Sequence, residues 1–570
     1  MSKEQAELRR WLEEVTDPEL SAELLSIRNE EKEVHERFYR SLEFGTGGLR
    51  GELGAGTNRM NIYTVRQATQ GFAVYLLTQE EKPSAAISYD SRHQSDVFAR
   101  ETARVLAANG IKVYLYPHLM PTPALSFAVL DRHCTGGVMV TASHNPARYN
   151  GYKAYAADGA QISGHVAAAV SEEIEKTDIF RDVKLADFKE ALADGRIEYI
   201  GDALIERYYA AVMAQALRPE LGKAAGLRLV YTPLNGSGLV PVMTVLKRMG
   251  HTDITVVPEQ EQPNGDFPTC PYPNPEILEA MQLGLNLCEK LGADLLLATD
   301  PDSDRVGTAV LQNGTPRLIS GNEMGVLLLD YICRTRLELH KMPENPVAVR
   351  SIVSTTMTDA IAAHYGVEMR QVLTGFKYIG EQIAHLEAEG HPERFIFGFE
   401  ESYGYLAGGY VRDKDAVVAS MLICEMAAWY KGQGKNLGEA LDDLYAQYGF
   451  YFNKVDSYTF PGSDGMEKMA ALMETLRTEL PIAIGGRAVT GHTDYESGIR
   501  YEDGEGKTPT GLPAANVMEF RLGKEGSLVA RPSGTEPKLK FYYSLRAADR
   551  PTAEKAYGEI KASVEDWLGL

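Results

Sequence analysis

Residues 84–90, SAAISYD, lead into 95–110, SDVFARETARVLAANG, then 111–117, IKVYLYP, 122–133, TPALSFAVLDRH, and 136–142, GGVMVTA. Short strand-like runs alternate here with stretches of helical period, which predicts right-handed βαβ units and a largely parallel sheet. The theme restarts at LRLVYT (227–232) and passes through GLVPVMTVLKRMG, ITVV and PEILEAMQLGLNLCEKLG to ADLLLAT. It restarts once more from VAVRSIV through TMTDAIAAHYG, MRQVLTG and a helix over 376–389 to RFIFGF. Beyond about residue 450 the pattern changes. VMEFRLG and SLVARPS, parted by the turn-like Lys524-Glu525-Gly526, predict a hairpin with flanking helices, as in an α+β domain. The expected organisation is a helical arm over 1–40 and four domains over 41–215, 216–325, 326–450 and 451–570.

Composition agrees with this plan. A chain of 570 residues suits four domains of roughly 150 residues. With 44% hydrophobic and 24% charged residues it has material for several buried cores. A net charge of −21 argues against nucleic acid or an anionic membrane as partner, since both select basic patches. The five cysteines are scattered without zinc-ligand spacing and read as reduced thiols. The N-terminal MSKEQAELRRWLEEV has no apolar core of a signal peptide, and no run of about 18 apolar residues occurs, so a cytoplasmic protein is expected. Sequons at Asn235 and Asn313 are therefore taken as chance.

Four segments carry chemistry. GVMVTASHNP (137–146) places Ser143 and His144 in the loop leaving a buried strand, where ligands of open α/β sheets bind. A polar turn closed by Asn-Pro is the plain alternative, and no GxSxG elbow marks a hydrolase. LLLATDPDSDRVG (295–307) is more specific. Asp300, Asp302 and Asp304 crowd three carboxylates into one loop with Arg305 beside them, for which a cation of the Mg²⁺ type is the economical reading and a solvated acidic turn the plain alternative. An EF-hand is excluded because Arg305 and Leu311 stand where Gly and Glu are required. GFEESYG (398–404) presents Glu400, Glu401 and Ser402 at another strand exit, suited to a polyol or, equally on this segment alone, a plain acidic turn. VARPSGTEPKLK (529–540) offers Arg531, Ser533, Gly534, Thr535, Lys538 and Lys540, the parts of a phosphate grip. FGTGGLRG (44–51) matches no dinucleotide fingerprint and reads as a Gly-rich turn whose N–H groups and Arg50 hold an anion, or as a simple loop.

Taken in order, these motifs resemble the α-D-phosphohexomutases, in particular the phosphoglucomutase and phosphopentomutase branch, over nearly the whole chain. TASHNP resembles the family's phosphoserine loop, DPDSDR its Mg²⁺ loop, GFEESYG its sugar loop and RPSGTEP its phosphate loop. The resemblance implies four domains around a central cleft, three mixed α/β and a C-terminal α+β one of TATA-binding-protein-like type. It implies a phosphoryl group carried on Ser143, Mg²⁺ held by Asp300, Asp302, Asp304 and Ser143, and Lys153 as general acid/base. His144 supports the phosphoserine loop. Sugar hydroxyls fall to Glu400 and Ser402, the substrate's phosphate to Arg531, Ser533, Gly534 and Thr535, and further substrate contacts to Arg50, Arg305, Thr374, Gly375, Lys377 and Lys414. The implied reaction interconverts glucose 1-phosphate and glucose 6-phosphate through glucose 1,6-bisphosphate, in a monomer or weak dimer. Pentose phosphates, bisphosphate synthesis, a non-catalytic sugar-phosphate sensor and a phosphatase stay open as alternatives. Departures from the pattern are Phe376 where many members have Trp and GTGG in place of GTSG at 45–48, while Tyr403-Gly404 in place of the Gly-His of phosphomannomutase-type relatives resembles the glucose-type version. Lys153 is expected among cations and apolar walls, and Arg50, Lys153, Arg305, Lys414, Arg531, Lys538 and Lys540 are expected to make a local positive cleft within an acidic envelope.

Overall fold

A strand covered by helices on both faces must be apolar at every position, and a strand covered on one face need be so only at alternate ones. Both patterns occur in the computed structural model, which describes residues 2–45, 47–460, 464–503, 506–533 and 537–570. Gly136–Val140 and Leu295–Thr299 are buried throughout. The chain forms two compact units, one of 1–320, 379–396 and 402–436, the other of 321–378, 397–401 and 437–570.

The first unit contains a six-stranded sheet in the order Gly48–Glu52, Tyr149–Ala156, Gly136–Val140, Ser84–Tyr89, Lys112–Leu115, Ile197–Tyr199. The last four of these strands are parallel, as expected. The first two join it through antiparallel pairings, which makes the sheet mixed. The segment read as a Gly-rich turn is in part the edge strand Gly48–Glu52, because Gly48 and Gly51 let its backbone pass close to Tyr152 and Leu42. A second, mixed sheet runs Thr315–Ile319, Val306–Gln312, Leu295–Thr299, Arg228–Thr232, Asp253–Val256.

The N-terminal arm is the three helices Lys3–Glu14, Pro18–Ile27 and Glu31–Phe38. Trp11, Leu24, Val34 and Phe38 are buried and join Tyr63 and Ile179 in one cluster. Each such side chain contributes roughly 1.5–3 kcal/mol of burial. Arg10 adds an ion pair to Asp178 at 2.6 Å. The arm is thus part of the first unit's core.

In the second unit, Val347–Ser351 pairs in parallel with Glu368–Val372. Its C-terminal part is a seven-stranded antiparallel sheet ordered Phe450–Thr459, Lys538–Ala547, Gly526–Pro532, Met518–Arg521, Gly491–Asp494, Ile499–Glu502, Gly506–Pro509. The expected hairpin is its centre. Alternation sorts the faces: Leu528, Ala530, Phe541 and Tyr543 pack on helices Gly465–Thr478 and Arg550–Leu568, while Val529 and Tyr542 pack on Ile352, Val353 and Leu373. All five cysteines are buried free thiols. Among the described residues no helix is long and apolar enough to cross a membrane.

Candidate active site

Ser143 leaves the buried strand Gly136–Val140 with φ of +49°, a left-handed conformation uncommon for a residue with a Cβ. The strain is held by hydrogen bonds. Thr141 Oγ1 accepts from the Ser143 N–H at 2.8 Å and donates to Asp90 Oδ2 at 2.6 Å. The buried Arg92 guanidinium donates to the carbonyls of Ser143 and Asn145, and to those of Pro146 and Tyr149 at 3.0 and 3.1 Å. Arg92 lies beside Asp90 and over the ring of Phe267, at 5.0 Å from its centroid. Asp90 and Arg92 escaped the sequence reading. The available signal was a polar run, Asp-Ser-Arg-His, at the C-terminal end of the parallel strand next to that of Ser143.

The antiparallel return Tyr149–Ala156 brings Lys153 back, opposite Met139 in the strand that precedes Ser143. Its ammonium donates to Ser143 Oγ at 2.8 Å and to Asp302 Oδ2 at 2.9 Å, with Asp304 at 3.8 Å. Ser143 Oγ donates to the same Asp302 oxygen at 2.9 Å. The anticipated cation-lined setting for Lys153 is therefore replaced by a carboxylate one, because the metal-type loop lies against it.

That loop is fully buried and tightly turned. Ser303 has φ of +50°, and Asp300 Oδ1 accepts from the N–H groups of Asp304 and Arg305 at 3.2 and 3.0 Å. Ser237 buttresses it through Pro301 O at 2.8 Å, and a Cβ on Gly236 would meet Pro301 Cα at 2.4 Å. Asn235 is buried in the same turn, bonded to Gln262 O, so its sequon is inaccessible. Three inner oxygens, Asp300 Oδ2, Asp302 Oδ1 and Asp304 Oδ1, are buried without a hydrogen-bond donor, and one oxygen of each aspartate lies within 4.8 Å of the others. Burial, then Asp304 and Asp302, push the Asp300 carboxyl well above its usual range. Burial works the same way on Asp302, but Lys153, Lys414 and the Ser143 hydroxyl together outweigh it and hold that carboxyl down. Three converging hard oxygens that lack donors fit a divalent cation.

Lys414, expected as a substrate contact, lies beside this loop, 2.9 Å from Asp304 and 3.2 Å from Asp413. Gly404 makes room, since a Cβ there would meet the Lys414 stem at 2.3 Å. Arg305 pairs with Glu276 at 2.6 Å, and Arg50 donates to Asn145 at 3.1 Å. Burial, then Arg305 and Arg50, push the His144 imidazole well below its ordinary value, so it stays neutral and suits support of the loop. Of the seven expected cationic groups, Arg50, Lys153, Arg305 and Lys414 belong to the first unit and surround Ser143 and the aspartates.

Arg531, Lys538 and Lys540 belong to the second unit, on the paired strands Gly526–Pro532 and Lys538–Ala547. Arg531 sits opposite Lys540, and Ser533 N donates to Lys538 O at 2.8 Å. Gly534 and Thr535 lie outside the described residues. Glu400 is buried, and its Oε1 accepts from the Gly375 N–H at 2.6 Å, where Gly375 has φ of +127°. Lys377 Nζ lies 4.9 Å from the Tyr378 ring centroid, and Thr374 Oγ1 is buried without a partner in hydrogen-bond range. The adjacent carboxylates divide their tasks: Glu401 accepts from Ser351 and Ser354 at 2.9 and 3.3 Å and so anchors the loop, while Glu400 faces residues 374–377. Ser402 is half-buried at the turn that follows.

Comparison with known proteins is consistent along the chain. The phosphoglucomutase/phosphomannomutase α/β/α domains I, II and III match residues 41–180, 206–314 and 320–448. The phosphoglucomutase of Staphylococcus haemolyticus is 38% identical over 510 residues, 89% of this chain and 91% of that protein. The phosphoglucomutase of Staphylococcus aureus strain MRSA252 is 36% identical over 519 residues, 91% of this chain and 92% of its own length. The solved structure of the Paramecium phosphoprotein pp63/parafusin, a phosphoglucomutase, covers 93% of this chain and 97% of its own with a TM-score of 0.69 at 17% identity. The chain belongs to the phosphoglucomutase/phosphomannomutase family of the α-D-phosphohexomutase superfamily and is a phosphoglucomutase-like sugar-phosphate mutase.

Proposed function

We propose that this mutase interconverts glucose 1-phosphate and glucose 6-phosphate, with Ser143 carrying the transferable phosphoryl group and glucose 1,6-bisphosphate as intermediate. The observation that carries the reading is the setting of Ser143 Oγ, 2.8 Å from Lys153 Nζ and 2.9 Å from Asp302, beside three carboxylate oxygens without donors. Asp300, Asp302 and Asp304 would hold Mg²⁺, which neutralises charge on the transferred phosphoryl oxygens.

The substrate's hydroxyl oxygen forms the new O–P bond as the Ser143 Oγ–P bond breaks. The hydroxyl proton ends on Ser143, with Lys153 giving one proton to Oγ and taking one up. Arg531 and Ser533, with Gly534 and Thr535, grip the phosphate already on the sugar, while Glu400 and Ser402 hold its hydroxyls. The bisphosphate then presents its other phosphate, and Ser143 Oγ takes it back by the reverse step. Loops that shield phosphoserine from water keep hydrolysis slow.

Intact mass tests the first step: the wild type should carry a labile phosphate that Ser143→Ala lacks, with mutase rate down by about 10⁴-fold or more. Equal activity in both proteins would refute it. Catalytic efficiency on glucose 1-phosphate against ribose 1-phosphate, each with its bisphosphate, tests the sugar, and a higher value on the pentose would make the protein a phosphopentomutase.

A further inference from the structure

We propose that the second unit holds a binding site for a small phosphorylated metabolite, a sugar phosphate or nucleoside monophosphate, separate from the residues of phosphoryl transfer. The site is a cleft of about 400 Å³ between the segment after Val347–Ser351 and one face of the seven-stranded sheet. That volume is within the range of small-molecule pockets. Its floor runs from Gly526 and Ser527, at the opposite end of the strand from Pro532 and Ser533, to Val529 and Tyr542, and Tyr542 marks its border with Arg531, to which its hydroxyl bonds. Six residues of extended chain separate Ser527 from Ser533 by roughly 20 Å.

The charges of the cleft select the ligand. Arg350 is committed to Asp359 at 2.9 and 2.8 Å. Arg521 bonds Thr493 Oγ1 and Tyr501 O and faces Glu502 and Glu519 at 3.6 Å. Three cations are left over. Among the described residues Arg500 and Lys524 make no ion pair, and Arg500 Nε is buried without an acceptor. Arg546 donates once, to Tyr448 O at 3.2 Å, and covers the ring of Tyr451. A guanidinium with an unused buried donor, a second guanidinium and an ammonium converge in a chain whose net charge is −21. A phosphate monoester matches them, since it supplies two charges and several acceptors to a forked donor. Gln371, Ser544 and Thr356 line the same cleft and suit the hydroxyls of an attached sugar.

Occupancy reaches the proposed sugar loop through Ser354. This cleft-lining serine accepts from the Glu401 N–H at 3.1 Å and donates to Glu401 Oε2 at 3.3 Å, one residue from Glu400. A ligand that engages Ser354 tightens residues 397–401. This coupling rests on the sugar-binding reading of Glu400, whereas the site itself does not.

The test is calorimetric titration of the full chain with fructose 1,6-bisphosphate and, separately, with AMP. Three proteins are compared: wild type, Arg500→Ala/Lys524→Ala, and Arg531→Ala. Binding of either probe should weaken by about tenfold or more in the double variant and hold within about twofold in Arg531→Ala. The double variant should keep wild-type mutase activity without effector, which shows it folded and separates this result from the reading of Ser143. Amide exchange over 397–401 should slow on binding in the wild type. Absence of binding at millimolar probe in the wild type overturns the site, as does loss of binding in Arg531→Ala with retention in the double variant. Lys524→Glu, at an exposed position, should weaken binding further than Lys524→Ala, and an unchanged affinity would also overturn it.

Discussion

The groups around Ser143 and those around Arg531 are built on opposite principles. In the first unit Ser143 is 5% exposed, Asp300 and Asp302 are fully buried, and the loop's carbonyls are held by Arg92. In the second unit Arg531, Ser533 and Lys377 are half-buried, and the buried Glu400 is held by a backbone N–H. Groups that meet developing charge gain most from being fixed before the reaction, since reorganisation then adds nothing to the barrier. Groups that recognise a ligand which must bind in two orientations gain from freedom to resettle. The first unit's variants should therefore lose rate, and the second unit's should lose affinity.

Arg92→Met is expected to have the largest effect. It removes four donors from the Ser143 loop and leaves Asp90 buried without its partner. A fall in kcat of about 10²–10³-fold is expected, by analogy with loss of a preorganised donor. Unfolding free energy should drop by roughly 3–5 kcal/mol, the range for an orphaned buried charge. Adding Asp90→Asn should restore much of the stability in urea unfolding but little of the rate. Joint recovery of both would show that Arg92 only supports the fold, and the contrast between the units would fail.

Arg531→Ala should act on KM. Loss of a charge-assisted phosphate contact worth about 1.5–3 kcal/mol raises KM by roughly 10–100-fold with a smaller change in kcat. Thermal stability should hardly move, because the side chain is half-buried at a strand end. A fall in kcat as large as that of Arg92→Met would make Arg531 part of the preorganised machinery and erase the distinction.

What the sequence disclosed follows the same division. The three aspartates were legible because their convergence is local, within five residues of one loop. The place of Ser143 after a buried strand was legible, but its proposed role, like that of Lys153, came by resemblance, and the antiparallel return that delivers Lys153 was not foreseen. Arg92 was not legible, since it meets the Ser143 carbonyl 51 residues away across two adjacent parallel strands. Lys414 was named as a substrate contact by resemblance alone, and its ion pairs with Asp304 and Asp413 are long-range or side-chain facts that no motif displays. The outer strands Gly491–Asp494, Ile499–Glu502 and Gly506–Pro509 went unread: they are short and polar, their burial falls off from the first to the exposed last, and pairing rather than an apolar pattern makes them strands.

The smallest expected effect on rate comes from Asp415, which sharpens what "fixed" means in the first unit. It caps helix Ala416–Lys431 by accepting from the N–H groups of Val417 and Val418 at 2.7 and 3.2 Å. It also accepts from Tyr410 at 2.6 Å and Tyr208 at 3.0 Å. Burial nevertheless outweighs these four donors and pushes its carboxyl up to about 6. A carboxyl raised in the folded state contributes stability that is fully present below its unfolded value, near 4, and is lost as pH rises through about 6. Asp415→Asn keeps the cap acceptor and removes the titration. The unfolding free energy of wild type minus variant should therefore fall by about 2 kcal/mol from pH 4 to pH 7, while kcat changes by less than about twofold. A flat difference would mean that the four donors offset burial, and that the segment placing Lys414 on Asp304 is as fully satisfied as the Ser143 loop. A large loss of kcat would instead tie the cap to the position of Lys414, and through it to Asp304.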